Sequence, residues 1–213
     1  MILYGYWRSG TSYRTRLALA IKGLEVEHRA VDLRKAEQKA ADYTAINPQG
    51  LVPLLILDNG TAIAQSPAII EYLDEAYPKP SLLPSDPLAR ARVRQMAAII
   101  GCDVHPLNNL RVLKYLKGNF GQDQVAIDQW AAEWIGAGFS ALEAMLANDN
   151  TRGQFCHGDR PGLVECYLLP QIYSARRFSV DLSPYRRILA IEAASNNIDA
   201  LAAAAPERQP DAD

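Results

Sequence analysis

Three short groups of residues in this 213-residue chain carry types and spacings that could do chemistry. Arg8, Ser9, Gly10, Thr11 and Ser12 stand just ahead of a segment with Leu17, Ile21 and Leu24 at helical spacing. Hydroxyls there can simply cap the helix. The same hydroxyls, with the N–H groups they border, can also stabilise a thiolate and lower its pKa. The second group is Leu51-Val52-Pro53, followed by Leu54-Leu55-Ile56-Leu57. A proline beside strand-like residues donates no ladder bond, so it marks an edge, a bulge or a cis turn. A cis Val52–Pro53 bond directs the Val52 N–H and C=O away from the sheet, free to pair with an extended peptide. Third, Gln65-Ser66-Pro67 reads as a helix start, with Ser66 as N-cap and Pro67 as the first helical residue. Spare N–H groups and a hydroxyl at such a terminus make a seat for a carboxylate. Together the three groups describe a site for a small acidic peptide.

The elements that must position these groups follow from the apolar pattern. Residues 2–6 read as a short buried strand, and the helix after Ser12 has a plausible stop at Gly23. Residues 26–31 alternate as a second strand, and 33–45 read as an irregular stretch or short helix. Asn59-Gly60 turns a hairpin between 54–57 and 61–64. The next helix carries a stripe of Ile69, Ile70, Leu73, Ala76 and Tyr77. The order β-α-β-α-β-β-α is a compact α/β unit, residues 1–78. Pro78, Pro80, Pro84 and Pro87 stiffen a linker, residues 79–87. Residues 88–213 read as an all-helical domain. Its first helix spans 88–117 with a kink at Pro106; others cover 122–146 and 163–178, two short ones follow, and the tail from Pro206 is polar and frayed.

Net charge of −2 with 22% charged residues argues against general nucleic-acid or anionic-membrane binding. No apolar run reaches the length of a membrane span, and the N-terminus runs straight into a strand pattern, so a cytoplasmic protein is expected. Three cysteines without C-x-x-C spacing suggest neither a disulfide framework nor a metal site. Cys102 and Cys166 fall in helices as small apolar fillers. His28 and His157 read as structural or exposed. His105 is either a satisfied, partly buried histidine or, with Asn108 and Arg111, part of a cleft floor. Tyr4 and Tyr6 lie in the first strand, where an aromatic is more often core, so Ser9, helped by Thr11, is the favoured thiolate partner. Trp130 and Trp134 read as core or interface aromatics.

Several separated pieces carry a family resemblance. They are Trp7-Arg8-Ser9-Gly10-Thr11-Ser12-Tyr13-Arg14-Thr15-Arg16, Asn47-Pro48-Gln49, Gln65-Ser66-Pro67-Ala68-Ile69-Ile70-Glu71-Tyr72-Leu73, His105-Pro106-Leu107-Asn108-Asn109 and Ala175-Arg176-Arg177-Phe178-Ser179-Val180-Asp181-Leu182. In this order the chain resembles the zeta class of soluble glutathione transferases along its whole length. The resemblance implies a thioredoxin-like N-terminal domain followed by a helical domain, with glutathione as cofactor. It implies contacts to glutathione from Ser9, Gln49, Val52, Pro53, Gln65 and Ser66, with His105 and Asn108 as further candidates. Arg8 and Arg177 are implied as forks for the two substrate carboxylates, with Arg176 and Arg111 weaker candidates. The implied reaction is cis–trans isomerisation of a maleyl-type diketo acid, maleylpyruvate to fumarylpyruvate, by reversible thiolate addition. Maleylacetoacetate as substrate, or conjugation of glutathione to small electrophiles, are the alternatives. A homodimer is expected from the same source.

Three departures from the family pattern bear on the site. Gly10 and Thr11 stand where a serine and a cysteine are usual, which resembles the maleylpyruvate branch. Gly162 replaces a capping hydroxyl before Leu163, putting local stability in question. Gly50 replaces a frequent glutamine or lysine, removing one polar contact to glutathione.

Overall fold

A computed structural model describes residues 1–149 and 151–213. The chain divides into two compact units, residues 1–82 with 197–213, and residues 83–196.

The first unit is built on a four-stranded mixed sheet in the order β2-β1-β3-β4. Strand β1 (Ile2–Gly5) runs parallel to β2 (Glu27–Ala30) and antiparallel to β3 (Leu54–Ile56), which pairs with β4 (Ala62–Ala64). Helix α1 (Gly10–Lys22) joins β1 to β2, and α3 (Ser66–Ala76) follows β4 and packs against α1. Between β2 and β3 lie a 3-10 turn, Glu37–Lys39, and the short α2 (Ala41–Ile46). The sequence dictates where α1 stops. Gly23 adopts a left-handed φ of 63°, and its N–H and that of Leu24 return to the carbonyls of Ala20 and Leu19. Leu17 of α1 and Ile69, Ile70 and Leu73 of α3 are almost wholly buried, as periodicity predicts, whereas Ile21 and Leu24 are only half-buried and Ala76 and Tyr77, at the end of the expected α3 stripe, are exposed. Lys22 is buried at the foot of α1, where its ammonium bonds Asp74 and the carbonyls of Tyr77 (2.8 Å) and Pro80 (2.7 Å). Those bonds tie down the start of the proline-rich segment.

The tail departs from the sequence expectation of a frayed end. Helix α9 (Asp199–Ala203) packs against α1, and the chain then follows the 3-10 turn Pro206–Arg208 to Asp213. Arg16, buried in α1, donates to the Ala204 carbonyl (2.9 Å). Asp213 pairs with Arg34, and Ala212 packs on the cluster of Tyr6, Trp7, Val31, Tyr43, Val52 and Leu54. Polar composition hid this docking, because hydrogen bonds and one ion pair hold the tail alongside a few buried apolar residues, Leu201, Ala204 and Pro206.

The second unit contains α4 (Pro87–Ala98), α5 (Leu110–Phe120), α6 (Gln124–Ala147), α7 (Leu163–Arg177) and α8 (Arg186–Asn196). The helix expected over 88–117 is not continuous. After α4 it widens into a π-helical turn, Ile99–Val104, where the His105 N–H bonds Ile100 O at 2.9 Å. Pro106 has no N–H to carry the helix on. Asn109 then caps α5 afresh, accepting from the Arg111 N–H at 3.1 Å. Ile127, Ala131, Ile135, Phe139, Leu142 and Leu146 form the buried seam of α6. Gly138 lets α6 approach the π-turn: a Cβ there would lie 2.2 Å from a Val104 methyl carbon.

At the start of α7 one half of a capping box remains, although Gly162 has no side chain to supply the other half. The buried Glu165 carboxylate accepts from the N–H of Gly162 (2.7 Å) and from that of Cys156 (2.9 Å). Burial pushes the Cys156 thiol well above its ordinary pKa, and the adjacent Glu165 charge adds to the shift. Cys166 is buried as expected, whereas Cys102 is exposed rather than a core filler. No helix among the described residues is long and apolar enough to cross a membrane, and none of them form a metal-binding cluster.

Candidate functional site

In the first unit the three chemical groups of the sequence converge around the start of α1. Ser9 is the α1 N-cap, with extended backbone, and its Oγ accepts from the Ser12 N–H at 3.3 Å. Thr11 Oγ1 donates to the Val52 carbonyl at 2.9 Å and lies 3.0 Å from Ser9 Oγ. Because the Thr11 proton goes to Val52, Ser9 must be the donor in the Ser9–Thr11 contact. The Ser9 hydroxyl therefore has one proton that an anion at the α1 terminus could claim from Thr11. Ser12, buried in the same turn, accepts from the Tyr6 N–H at 3.3 Å.

The Val52–Pro53 bond is cis. Of the two Val52 groups expected to be free, the carbonyl is already engaged by Thr11; the N–H has no partner among the described residues. The loop is fastened at Leu51, whose carbonyl accepts from Tyr43 Oη and Asn47 Nδ2, both at 2.7 Å. Asn47 and Tyr43 thus hold the strand-like edge in place. Sequence reading quoted Asn47 only as part of a motif and missed Tyr43. Gly50 explains itself on steric grounds. It sits at φ 58°, and a Cβ there would approach the Gln38 carbonyl to 2.8 Å.

Helix α3 begins at Ser66, so Gln65, not Ser66, occupies the N-cap position. Gln65 has φ 72° and ψ 115°, a conformation that costs a non-glycine residue about 1–3 kcal/mol. Its side-chain amide contacts Gln49 Oε1. Ser66 is 1% exposed, yet its Oγ has no hydrogen-bond partner among the described residues. An orphaned buried hydroxyl at a helix N-terminus, beside a strained residue, is what a carboxylate-binding site looks like before its ligand arrives. Arg8 is half-buried, with its guanidinium over the Trp7 ring at 5.2 Å and no ion pair among the described residues. Tyr4 Oη accepts from Arg29 at 2.8 Å, and Tyr6 is buried.

In the second unit Asn108 is buried, and its Nδ2 lacks a partner among the described residues. His105 Nε2 lies 3.5 Å from Asn109 Nδ2, and the turn is pinned by Trp130, whose indole N–H donates to the Leu107 carbonyl at 2.8 Å. Trp134 packs edge-on against Trp130. Arg111 is exposed on the first turn of α5. At the end of α7 Arg176 pairs with Glu192, whereas Arg177 is exposed with its guanidinium 5.8 Å from the Phe178 ring.

The glutathione S-transferase N-terminal domain model matches residues 8–76. Maleylpyruvate isomerase from a Ralstonia species is 54% identical over 212 residues, 99% of either chain. A holo structure of a maleylpyruvate isomerase, a bacterial zeta-class glutathione S-transferase, matches at TM-score 0.98 and 53% identity over 100% of both chains. The chain belongs to the zeta class of the glutathione transferase family. A maleylacetoacetate isomerase from Methylobacterium extorquens AM1, solved with malonate and glutathione bound, matches this zeta-class chain at TM-score 0.96 and 36% identity, covering 100% of both chains. The four-stranded sheet with its flanking helices and the helical unit are the two parts of the glutathione transferase fold.

Proposed function

We propose that this protein is a glutathione-dependent cis–trans isomerase that converts maleylpyruvate to fumarylpyruvate. The observation that carries the reading is the Ser9–Thr11–Val52 hydroxyl relay at the N-terminus of α1, joined to the orphaned Ser66 hydroxyl. These residues fit glutathione. Ser66 and the first N–H groups of α3 take a carboxylate of the tripeptide, Gln65 and Gln49 hold its polar end, and the Val52 N–H pairs with its backbone beside Pro53. When bound, glutathione supplies a thiolate that adds reversibly to the maleyl double bond, so that rotation becomes possible and the tripeptide is recovered unchanged.

The chain's own residues do the rest. Ser9 turns its O–H from Thr11 to the sulfur and, with the N–H groups of α1, favours the ionised thiol. Arg8 offers a planar fork for one substrate carboxylate, its guanidinium resting 5.2 Å from the Trp7 ring. Arg177 is assigned the second carboxylate and Asn108, with its unpartnered amide, a contact to ligand; His105, Arg111 and Arg176 are weaker candidates. These assignments rest on family resemblance. The malonate bound to the Methylobacterium relative, a small dicarboxylate, supports a diacid substrate here. That relative's name also favours a second reading, maleylacetoacetate as the substrate. On the family's habit the protein works as a cytoplasmic homodimer. Following maleylpyruvate absorbance with and without glutathione tests the reading: a rate that does not depend on glutathione rejects it.

A further inference from the structure

The loop that carries Arg8 and Ser9 is held by the far end of the chain. The Trp7 N–H donates to Asp211 Oδ2 at 2.9 Å. The Trp7 carbonyl accepts from Arg16 Nη2 at 3.0 Å, and Arg16 in turn donates through Nε to the Ala204 carbonyl at 2.9 Å. Both backbone groups of Trp7 are therefore committed to the tail or to a side chain that the tail fixes. Asp213 pairs with Arg34 and Ala212 packs on the cluster that contains Trp7, which anchors the chain after Asp211; the Arg16–Ala204 bond holds the chain before it. A polar, unpatterned C-terminus has no need of so many bonds to remain attached, and the telling feature is that both backbone groups of one residue, Trp7, are tied to it, one directly and one through Arg16.

We infer that Asp211 is a positioning residue: through the Trp7 N–H it fixes the Trp7-Arg8-Ser9 turn, and with it the Ser9 hydroxyl and the Arg8 guanidinium. The turn is fastened at its two ends, where the Ser9 N–H bonds the Tyr6 carbonyl at 3.0 Å and the Tyr6 N–H bonds Ser12 Oγ at 3.3 Å. Between them the backbone of Trp7 is held by Asp211 and Arg16. Loss of the Asp211 acceptor leaves a partly buried N–H unpaired and loosens the turn at Trp7. The acceptor, rather than the charge, is the essential property, because the group it meets is a neutral amide.

The inference rests on the proposed glutathione site, and the experiment separates the two. Asp211→Ala and Asp211→Asn are compared with wild type by hydrogen exchange of the Trp7 and Arg8 amides in the free protein. The pKa of bound glutathione thiol is read from thiolate absorbance against pH, and Tm is recorded for each variant. In Asp211→Ala the Trp7 amide exchanges at least about tenfold faster, the bound thiol pKa rises, and kcat falls about tenfold with a smaller change in glutathione KM. Asp211→Asn, which keeps a carbonyl oxygen, stays within about threefold of wild type. A merely structural role would lower Tm and leave the bound thiol pKa where it was, and that result overturns the inference. So does an Asp211→Asn protein as impaired as Asp211→Ala. A wild-type protein that binds no glutathione overturns the proposed function and this inference with it.

Discussion

At the scale of single residues, the chemistry depends on where a few protons point. Ser9 gives its only proton to Thr11 because Thr11 has given its own to Val52. Ser9→Ala removes the donor nearest the proposed sulfur and should lower kcat about 10- to 100-fold, the range for a hydrogen bond to a charged group. Thr11→Val keeps the shape but cuts the relay. It should leave glutathione affinity within about threefold while altering the pH at which the bound thiol ionises, read by thiolate absorbance. The cysteines provide a separate check. A thiol reagent at about pH 8 should label Cys102 in the native protein and leave Cys156 and Cys166 untouched until the chain unfolds. Cys156 also makes a linkage prediction with a definite sign. Its folded pKa is raised by burial, so its contribution is fully present below the ordinary thiol range and is lost as pH rises through that range toward the folded value. Wild-type Tm should therefore fall more steeply above about pH 9 than that of Cys156→Ala.

At the scale of elements, caps and close approaches decide what the chain tolerates. Giving position 50 the side chain that the family pattern implies should not add a contact. Gly50→Lys brings a Cβ to 2.8 Å from the Gln38 carbonyl at a left-handed φ, and should cost about 1–3 kcal/mol by urea unfolding. Most elements were legible in the sequence because their signals are local. Gly23 stops α1 by its own conformational freedom, Asn59-Gly60 turns the hairpin, and the Ile69, Ile70, Leu73 stripe buries α3. The break between α4 and α5 was half legible. Pro106 announced a disturbance, but the π-turn before it depends on packing against α6, which Gly138 permits from a distant part of the sequence. The Ser66 cap was misread by one residue. Serine followed by proline fits an N-cap locally, and nothing local indicates that Gln65 would accept φ 72°. The bond from Cys156 to the Glu165 carboxylate was likewise not legible, since it joins α7 to a loop nine residues earlier.

At the scale of the whole molecule, the glutathione transferase fold was readable from the order of strands, linker and helices. The candidate site was readable only where its residues sit in short motifs. Ser9, Thr11, Val52 and Ser66 were found that way. Tyr43 and Asp211 were not, because each acts through a backbone group remote in sequence or unremarkable in type. The seated tail is the clearest instance: residues 197–213 group with the first unit although the whole helical stretch separates them in sequence. The proposed homodimer is checked by sedimentation, where about twice the chain's 23.5 kDa is expected. The claim that the protein isomerises by borrowing a thiol is tested most directly by counting that thiol. Maleylpyruvate is incubated with the protein and a small, known amount of glutathione, and product and free thiol are measured together. The account predicts many turnovers to fumarylpyruvate per glutathione with all of the thiol recovered; one thiol consumed per substrate lost, or turnover without any glutathione, contradicts it.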